Sequence, residues 1–215
     1  MTSPAWKRLA AASVMLMVLL GVGAAATSTE VTRWGIAVDD AVAGWRNGVS
    51  TALSIAATHA ASAAVGVAAT ILAPAALWWR RRGRDAVQTL LVLGGALMIA
   101  SVIKLGVAEA RPPSRLWVIA PDNAQSFPSG HTTLAAAAAL AAVLVTQGGW
   151  RILAGAVGAT ATLVVAAARV YLGVHYPIDV LGGVLAAICA ALLAAGLVEL
   201  PPLRRHLRTP AVSRP

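Results

Sequence analysis

The sequence predicts an all-α, polytopic membrane protein, a bundle of six transmembrane helices with N- and C-termini cytoplasmic. Three observations carry this. The 215 residues are 59% apolar and only 12% charged, with a mean hydropathy of +0.77, whereas soluble domains carry about a quarter charged residues. Six apolar stretches each reach the length of about 20 residues that crosses a hydrocarbon core. The connections between them alternate in basic content, as the positive-inside rule requires. The spans use more than half of the chain, so residues 1–215 read as one membrane-embedded domain with no separate soluble part.

The first span, 9–26, follows Lys7 and Arg8. With Ala24-Ala25-Ala26 at its end it also matches a secretory signal, whose cleavage would remove one span and leave every later helix oriented as before. Residues 27–50 form a long connection, and 52–79 the second span, which ends on Trp78, Trp79 and the basic run Arg80–Arg84. The third span is 86–104, followed by the second long connection, 105–130. The alanine-rich fourth span, 131–147, is bounded by Gly148-Gly149, and small residues let membrane helices approach closely. The fifth and sixth spans, 152–171 and 179–199, flank a short turn, and 201–215 is a basic cytoplasmic tail. All seven tryptophans fall at span ends or in connections, where aromatic belts sit.

A formal charge of +9 would ordinarily suggest nucleic acid. Its distribution argues otherwise. The whole +9 lies on the cytoplasmic side, while the outer side, with the two long connections and the turn 172–178, nets zero. The excess is a topology signal, so no nucleic-acid partner is expected. Attraction of Arg80–Arg84 to anionic inner-leaflet lipids is a secondary effect. Cys189 is the lone cysteine, sits in an apolar run and is expected only to pack.

Charged groups near a bilayer are costly and ask for a partner or a task. Three clusters fall on the outer side. Lys104 and Arg111, seven residues apart before Pro112, share one helical face if the helix persists that far. They form either an anion clamp or a pair of snorkelling interfacial cations. Ser126-Phe127-Pro128-Ser129-Gly130-His131-Thr132 opens the fourth span, where free amides and the helix dipole favour a phosphate and His131 could transfer a proton. It reads equally as a capped helix start. Arg169, His175 and Asp179 frame the last outer turn. Asp179, four residues after His175, would hold one imidazole tautomer and free the other nitrogen to attack, or simply staple the turn.

The conjunction is more specific than its parts. Two histidines, one carboxylate and three cations on one face are what phosphoryl transfer through a covalent histidine intermediate needs: nucleophile, orienting acid, proton donor and charge neutralisers. No metal is expected, because the nearby carboxylate is committed to a histidine and no paired-ligand spacing occurs. No cofactor is implied.

These residues resemble the type 2 phosphatidic acid phosphatase (PAP2) family, membrane lipid phosphatases related to vanadium haloperoxidases. The family's three motifs match Lys104 with Arg111-Pro112, then Pro128-Ser129-Gly130-His131, then Arg169, His175 and Asp179, in order and at matching spacings over a core of 104–179. One departure is Ala168, where the family usually has Ser before the Arg, which removes a supporting hydroxyl. The resemblance implies that His175 attacks phosphorus, Asp179 orients His175, and His131 protonates the leaving group and then activates water. Lys104, Arg111, Arg169, Ser129 and the Gly130 amide would hold the phosphate, without a metal ion.

The implied substrate is a membrane lipid phosphate or diphosphate, met at the extracytoplasmic face of the plasma membrane. On family grounds the leaning is to undecaprenyl or another polyprenyl diphosphate, recycled for cell-wall synthesis. The alternatives are phosphatidylglycerol phosphate or phosphatidate and, from other classes, a non-catalytic lipid transporter or flippase or a catalytically silent scaffold. A transporter has no use for a His-Asp pair. Of the remaining polar residues, Arg115 could contact a second phosphate or be an exposed loop charge, and His59 reads as an interhelical polar group. Glu109 and Asp122 are expected to balance nearby cations, and Tyr171 and Tyr176 to anchor the outer interface.

Overall fold

The computed structural model describes residues 3–206, which contain helices and no strand. In order these are α1 (Pro4–Ala26), α2 (Thr29–Ala43), α3 (Gly48–Ala60), α4 (Ala63–Trp79), α5 (Gly83–Val107), α6 (Gly130–Val145), α7 (Gly148–Tyr171), α8 (Pro177–Leu197) and α9 (Pro201–His206). Among the described residues, α1, α5, α7 and α8 are long and apolar enough to cross a membrane, and α3 with α4 makes a fifth if that bent pair is one span. The chain is therefore a multi-pass membrane protein. The remaining expected span, the fourth, falls on α6, which is apolar but only 16 residues long.

Three expectations are corrected by the backbone. The connection 27–50 holds a helix, α2, whose first turn is capped by Ser28 accepting from the Val31 amide at 3.4 Å and carries Glu30 against the helix dipole. The span 52–79 is two helices meeting at 41°, because α3 closes in a tight turn in which the Ala61 and Ser62 amides donate back to Thr58 and His59. The third helix does not persist to Pro112. It ends at Val107, where Ala108 adopts a left-handed conformation (φ 51°) and donates to the Lys104 carbonyl. Of the expected basic tail, 201–206 forms α9, and the rest, with Arg208 and Arg214, lies outside the described residues.

Helix α8 is the centre of the bundle and packs against α1, α5 and α6. The core between α5, α6 and α8 is made largely of alanine, with Val92, Leu93 and Leu134, so the helices pack through short side chains. Cys189 is buried in α8 facing the Ala12 carbonyl of α1, a packing position. Large apolar side chains such as Leu105, Ile152 and Leu163 point outward, as a lipid-facing surface requires.

The C-terminal ends of α5 and α7 and the N-terminal ends of α6 and α8 gather at one end of the bundle, and α2 lies against it. Gly35 of α2 leaves a slot for the Tyr176 ring, since a side chain there would meet Tyr176 Cδ1 at 2.7 Å. Tyr176 is consequently buried, not the interfacial anchor expected, whereas Tyr171 bonds the start of α3 through Asn47 and Thr51.

Candidate active site

Local rules put His175 and Asp179 together. After α7 the chain turns through Gly173, at φ 71°, where an added Cβ would collide with the Leu116 carbonyl. Pro177 then starts α8 at its first position, where a missing amide costs nothing. That makes Asp179 the third helical residue, and its Oδ2 accepts from the Tyr176 amide at 2.9 Å, one half of a capping box. The same oxygen lies 3.0 Å from His175 Nδ1 and accepts from Ser126 Oγ at 2.5 Å. With the carboxylate on Nδ1, the proton of a neutral imidazole belongs there and Nε2 carries the lone pair.

That lone pair is not idle. Arg111 Nη1 stands 2.7 Å from Nε2 and also donates to the Val174 carbonyl at 2.6 Å. Its guanidinium is clasped on the other side by Asn123, through the backbone carbonyl at 3.1 Å and Oδ1 at 2.9 Å. His175 is 1% exposed. Burial first, and then the Arg111 and Arg169 charges, push its pKa down to about 3 against the pull of Asp179, so the imidazole is neutral. Burial and Arg169 draw Arg111 down to about 10, still a cation at neutral pH.

Lys104, Arg111, Gly130, His131 and His175 line one pocket of about 120 Å³. Its apolar wall is built from Ala61 and Ala63 at the α3–α4 bend, Leu97 and Leu134. Lys104 Nζ donates to the Gln125 and Ser126 carbonyls at 2.9 and 2.8 Å, which ties the loop before α6 to the end of α5. Gly130 begins α6, whose first-turn amides have no partner within the helix.

Three of the expected residues sit behind this surface. Arg169 is 1% exposed and donates to Asp122 at 3.2 Å, and its Nε and Nη1 have no partner among the described residues. Asp179 is the buried support of His175. Ser129 is buried too, its amide donating to the Asp179 carbonyl and its hydroxyl accepting from Thr132. It joins α6 to α8, and its side chain does not cap α6. Ala168 is buried on the wall of an apolar groove between α3 and α7, away from the pocket.

Asp122 pairs with a cation as expected, whereas Glu109 feels the charges of Lys104 and Arg111 but makes no ion pair within 4.0 Å among the described residues. Arg115 forks onto Asp40 of α2 at 2.5 and 2.9 Å and does not line the pocket. His59 is exposed at the end of α3 and is not an interhelical bond. Sequence reasoning missed Ser126 and Asn123. Ser126 stands in the second cluster and could have been flagged as a spare hydroxyl, while nothing local marks Asn123.

A sequence profile of the PAP2 superfamily matches residues 85–200, which include every residue from Lys104 to Asp179. The chain is 30% identical over 115 residues to an undecaprenyl-diphosphatase of Sulfolobus acidocaldarius, covering 51% of this chain and 53% of that protein. The match thus spans about half the length of that relative. It is 29% identical over 165 residues to phosphatidylglycerophosphatase B of Bacillus subtilis, covering 72% and 76%. Its fold is similar to the crystal structure of a transmembrane PAP2-type phosphatidylglycerolphosphate phosphatase from Bacillus subtilis, with a TM-score of 0.77 at 23% identity over 87% of this chain and 96% of that one.

Proposed function

The chain belongs to the PAP2 superfamily, and on that premise we propose that it is an integral membrane lipid phosphatase working through a phosphohistidine on His175. The observation that carries this is the chain Asp179 Oδ2 to His175 Nδ1 at 3.0 Å and His175 Nε2 to Arg111 Nη1 at 2.7 Å, with His131 on the same pocket. An incoming phosphoryl group offers Arg111 better acceptors than a neutral imidazole, because hydrogen bonds between ionised partners are the stronger ones. As Arg111 turns to the phosphate, the Nε2 lone pair is released toward phosphorus. The bond from Nε2 to phosphorus forms as the bond to the leaving oxygen breaks, and His131 supplies the proton to that oxygen. His131 then takes a proton from water, which attacks phosphorus, returns the electron pair to Nε2 and frees inorganic phosphate.

Lys104, Arg111 and the Gly130 amide meet the phosphate oxygens, and Arg169 adds charge from behind, with two donors still unpartnered among the described residues. Such preorganised donors need no metal ion to neutralise the transition state. Asp179 carries the charge that balances His175 as it becomes cationic.

The proposed topology has six crossings, with α6 as the shortest and both termini cytoplasmic. It is supported by Arg8, Arg82, Arg84 and Arg151, which lie at the end of the bundle opposite the pocket, where Arg8 and Arg84 meet Glu199. The pocket then faces outward. The substrate is a lipid phosphate or diphosphate, and a polyprenyl diphosphate is favoured by the name of the archaeal relative. Phosphatidylglycerol phosphate is the substrate favoured by the bacillar one.

Purified protein in detergent is expected to release phosphate from at least one of polyprenyl diphosphate, phosphatidylglycerol phosphate and phosphatidate, with EDTA present. His175→Ala and His131→Ala should each abolish release. Full activity in His175→Ala protein would overturn the mechanism, and lipid transfer without turnover would favour a transporter.

A further inference from the structure

The support behind His175 has an unpaired half. Asp179 is fully buried, and its Oδ2 takes three donors, from Tyr176, Ser126 and His175. Its Oδ1 is equally buried and takes none among the described residues. Beside it lies the Glu109 side chain, 5% exposed, whose two oxygens are also buried without a donor. Ser126 brings the two residues together, its amide donating to the Glu109 carbonyl and its hydroxyl to Asp179 Oδ2, and each carboxyl shifts the proton affinity of the other. An ionised carboxylate only accepts, so two of them cannot satisfy each other, and an unpaired buried oxygen is costly. One proton held between them removes both deficits.

We propose that Glu109 is a positioning residue: its protonated carboxyl donates a hydrogen bond to Asp179 Oδ1 and so locks the carboxylate that orients His175. The surroundings favour that proton. Lys104, the nearest cation on α5, spends its ammonium on the Gln125 and Ser126 carbonyls, and Arg111 is turned to His175 and Asn123. From α2, the buried Asp39 is a further carboxyl that feels the Asp179 charge, and Tyr176 feels the charges of all three acids. Burial and Asp179 push the Glu109 carboxyl up to about 10 against the pull of Lys104 and Arg111. Glu109 is held in place through its own backbone, whose carbonyl accepts from the Ser126 amide at 2.8 Å, so the hydroxyl on one oxygen of Asp179 and the acid on the other come from one clasp.

The effect on rate rests on the phosphohistidine reading, whereas the proton itself does not. The test therefore has two arms. In the infrared spectrum of the intact protein at pH 7, with glutamate isotopically labelled, a protonated carboxyl band should be present and should vanish in Glu109→Gln. In turnover, Glu109→Ala should lower kcat by about 10- to 100-fold, the usual loss when an orienting partner behind a histidine is removed, with KM changed little. Glu109→Gln keeps a neutral donor at the same place and should recover most of that loss. Absence of the band in the wild-type protein, or a Gln variant as impaired as the Ala variant, would overturn the assignment. A band present in a protein that cleaves none of the lipids upholds the proton and sinks the phosphatase reading instead.

Discussion

His175 is held between a carboxylate on one nitrogen and a guanidinium on the other, and burial decides which charge state that produces. The cationic imidazole would lose its water shell with Arg111 at 2.7 Å, and Asp179 alone does not offset both costs. An ordinary histidine is half protonated near 6.5, whereas this one gains its proton only near pH 3. The unfolded chain therefore binds more protons at this residue between those values. Its contribution to stability is complete above about 6.5 and is lost as the pH falls toward 3. Nitrogen-15 NMR of histidine-labelled protein is expected to show His175 as the neutral Nδ1–H tautomer from pH 8 down to pH 5. Titration of that signal near 6.5 would contradict the burial argument. The local part of this arrangement was legible in advance, because a His four residues before an Asp across a Pro helix start is a short-range geometry. Arg111 on Nε2 was not legible, since it depends on a chain turn at Ala108 that no spacing announces.

Among the elements, α8 has the greatest influence on the site. Its first turn supplies Asp179 and its second turn lies against the start of α6. At Gly183 an added Cβ would come within 2.7 Å of the Ser129 carbonyl and 3.0 Å of the Thr133 amide, both backbone atoms that cannot step aside cheaply. Gly183→Ala should thus cost about 1–3 kcal/mol of stability, the usual scale of overpacking, and should also loosen the α6 start that carries His131. Gly155 on α7 serves as the comparison, because its nearest neighbour would be the flexible Val143 side chain at 3.8 Å. Thermal denaturation in detergent should show a lowered midpoint for Gly183→Ala and almost none for Gly155→Ala. Equal midpoints would mean that the α6–α8 contact yields. Apolar length located the long helices well. It failed at α2 and at the α3–α4 bend, where a capping serine in one case and a closing turn in the other override the run of hydropathy.

For the molecule as a whole, the two ends of the bundle differ in kind. One end carries the pocket with its balanced charges, and the other collects unbalanced arginines. The single cysteine, Cys189, is buried, so introduced cysteines can report sidedness against a quiet background. Trp45→Cys, at the pocket end, should react with a membrane-impermeant thiol reagent in intact cells, and Trp79→Cys, at the arginine-rich end, only after permeabilisation. Both tryptophans are highly exposed, so the reverse pattern would invert the topology. The sequence by itself determined the all-helical membrane class, the placing of the long apolar helices and the His-Asp pair, because hydrocarbon thickness and helix pitch act over short stretches of chain. Only the tertiary structure decided that Ser126 completes the support of Asp179 from 53 residues away, that Arg111 covers His175 Nε2 and that the Glu109 oxygens are left without a hydrogen-bond partner among the described residues. Those are contacts between distant segments, and they depend on how closely the alanine- and glycine-faced helices pack, which residue spacing does not encode.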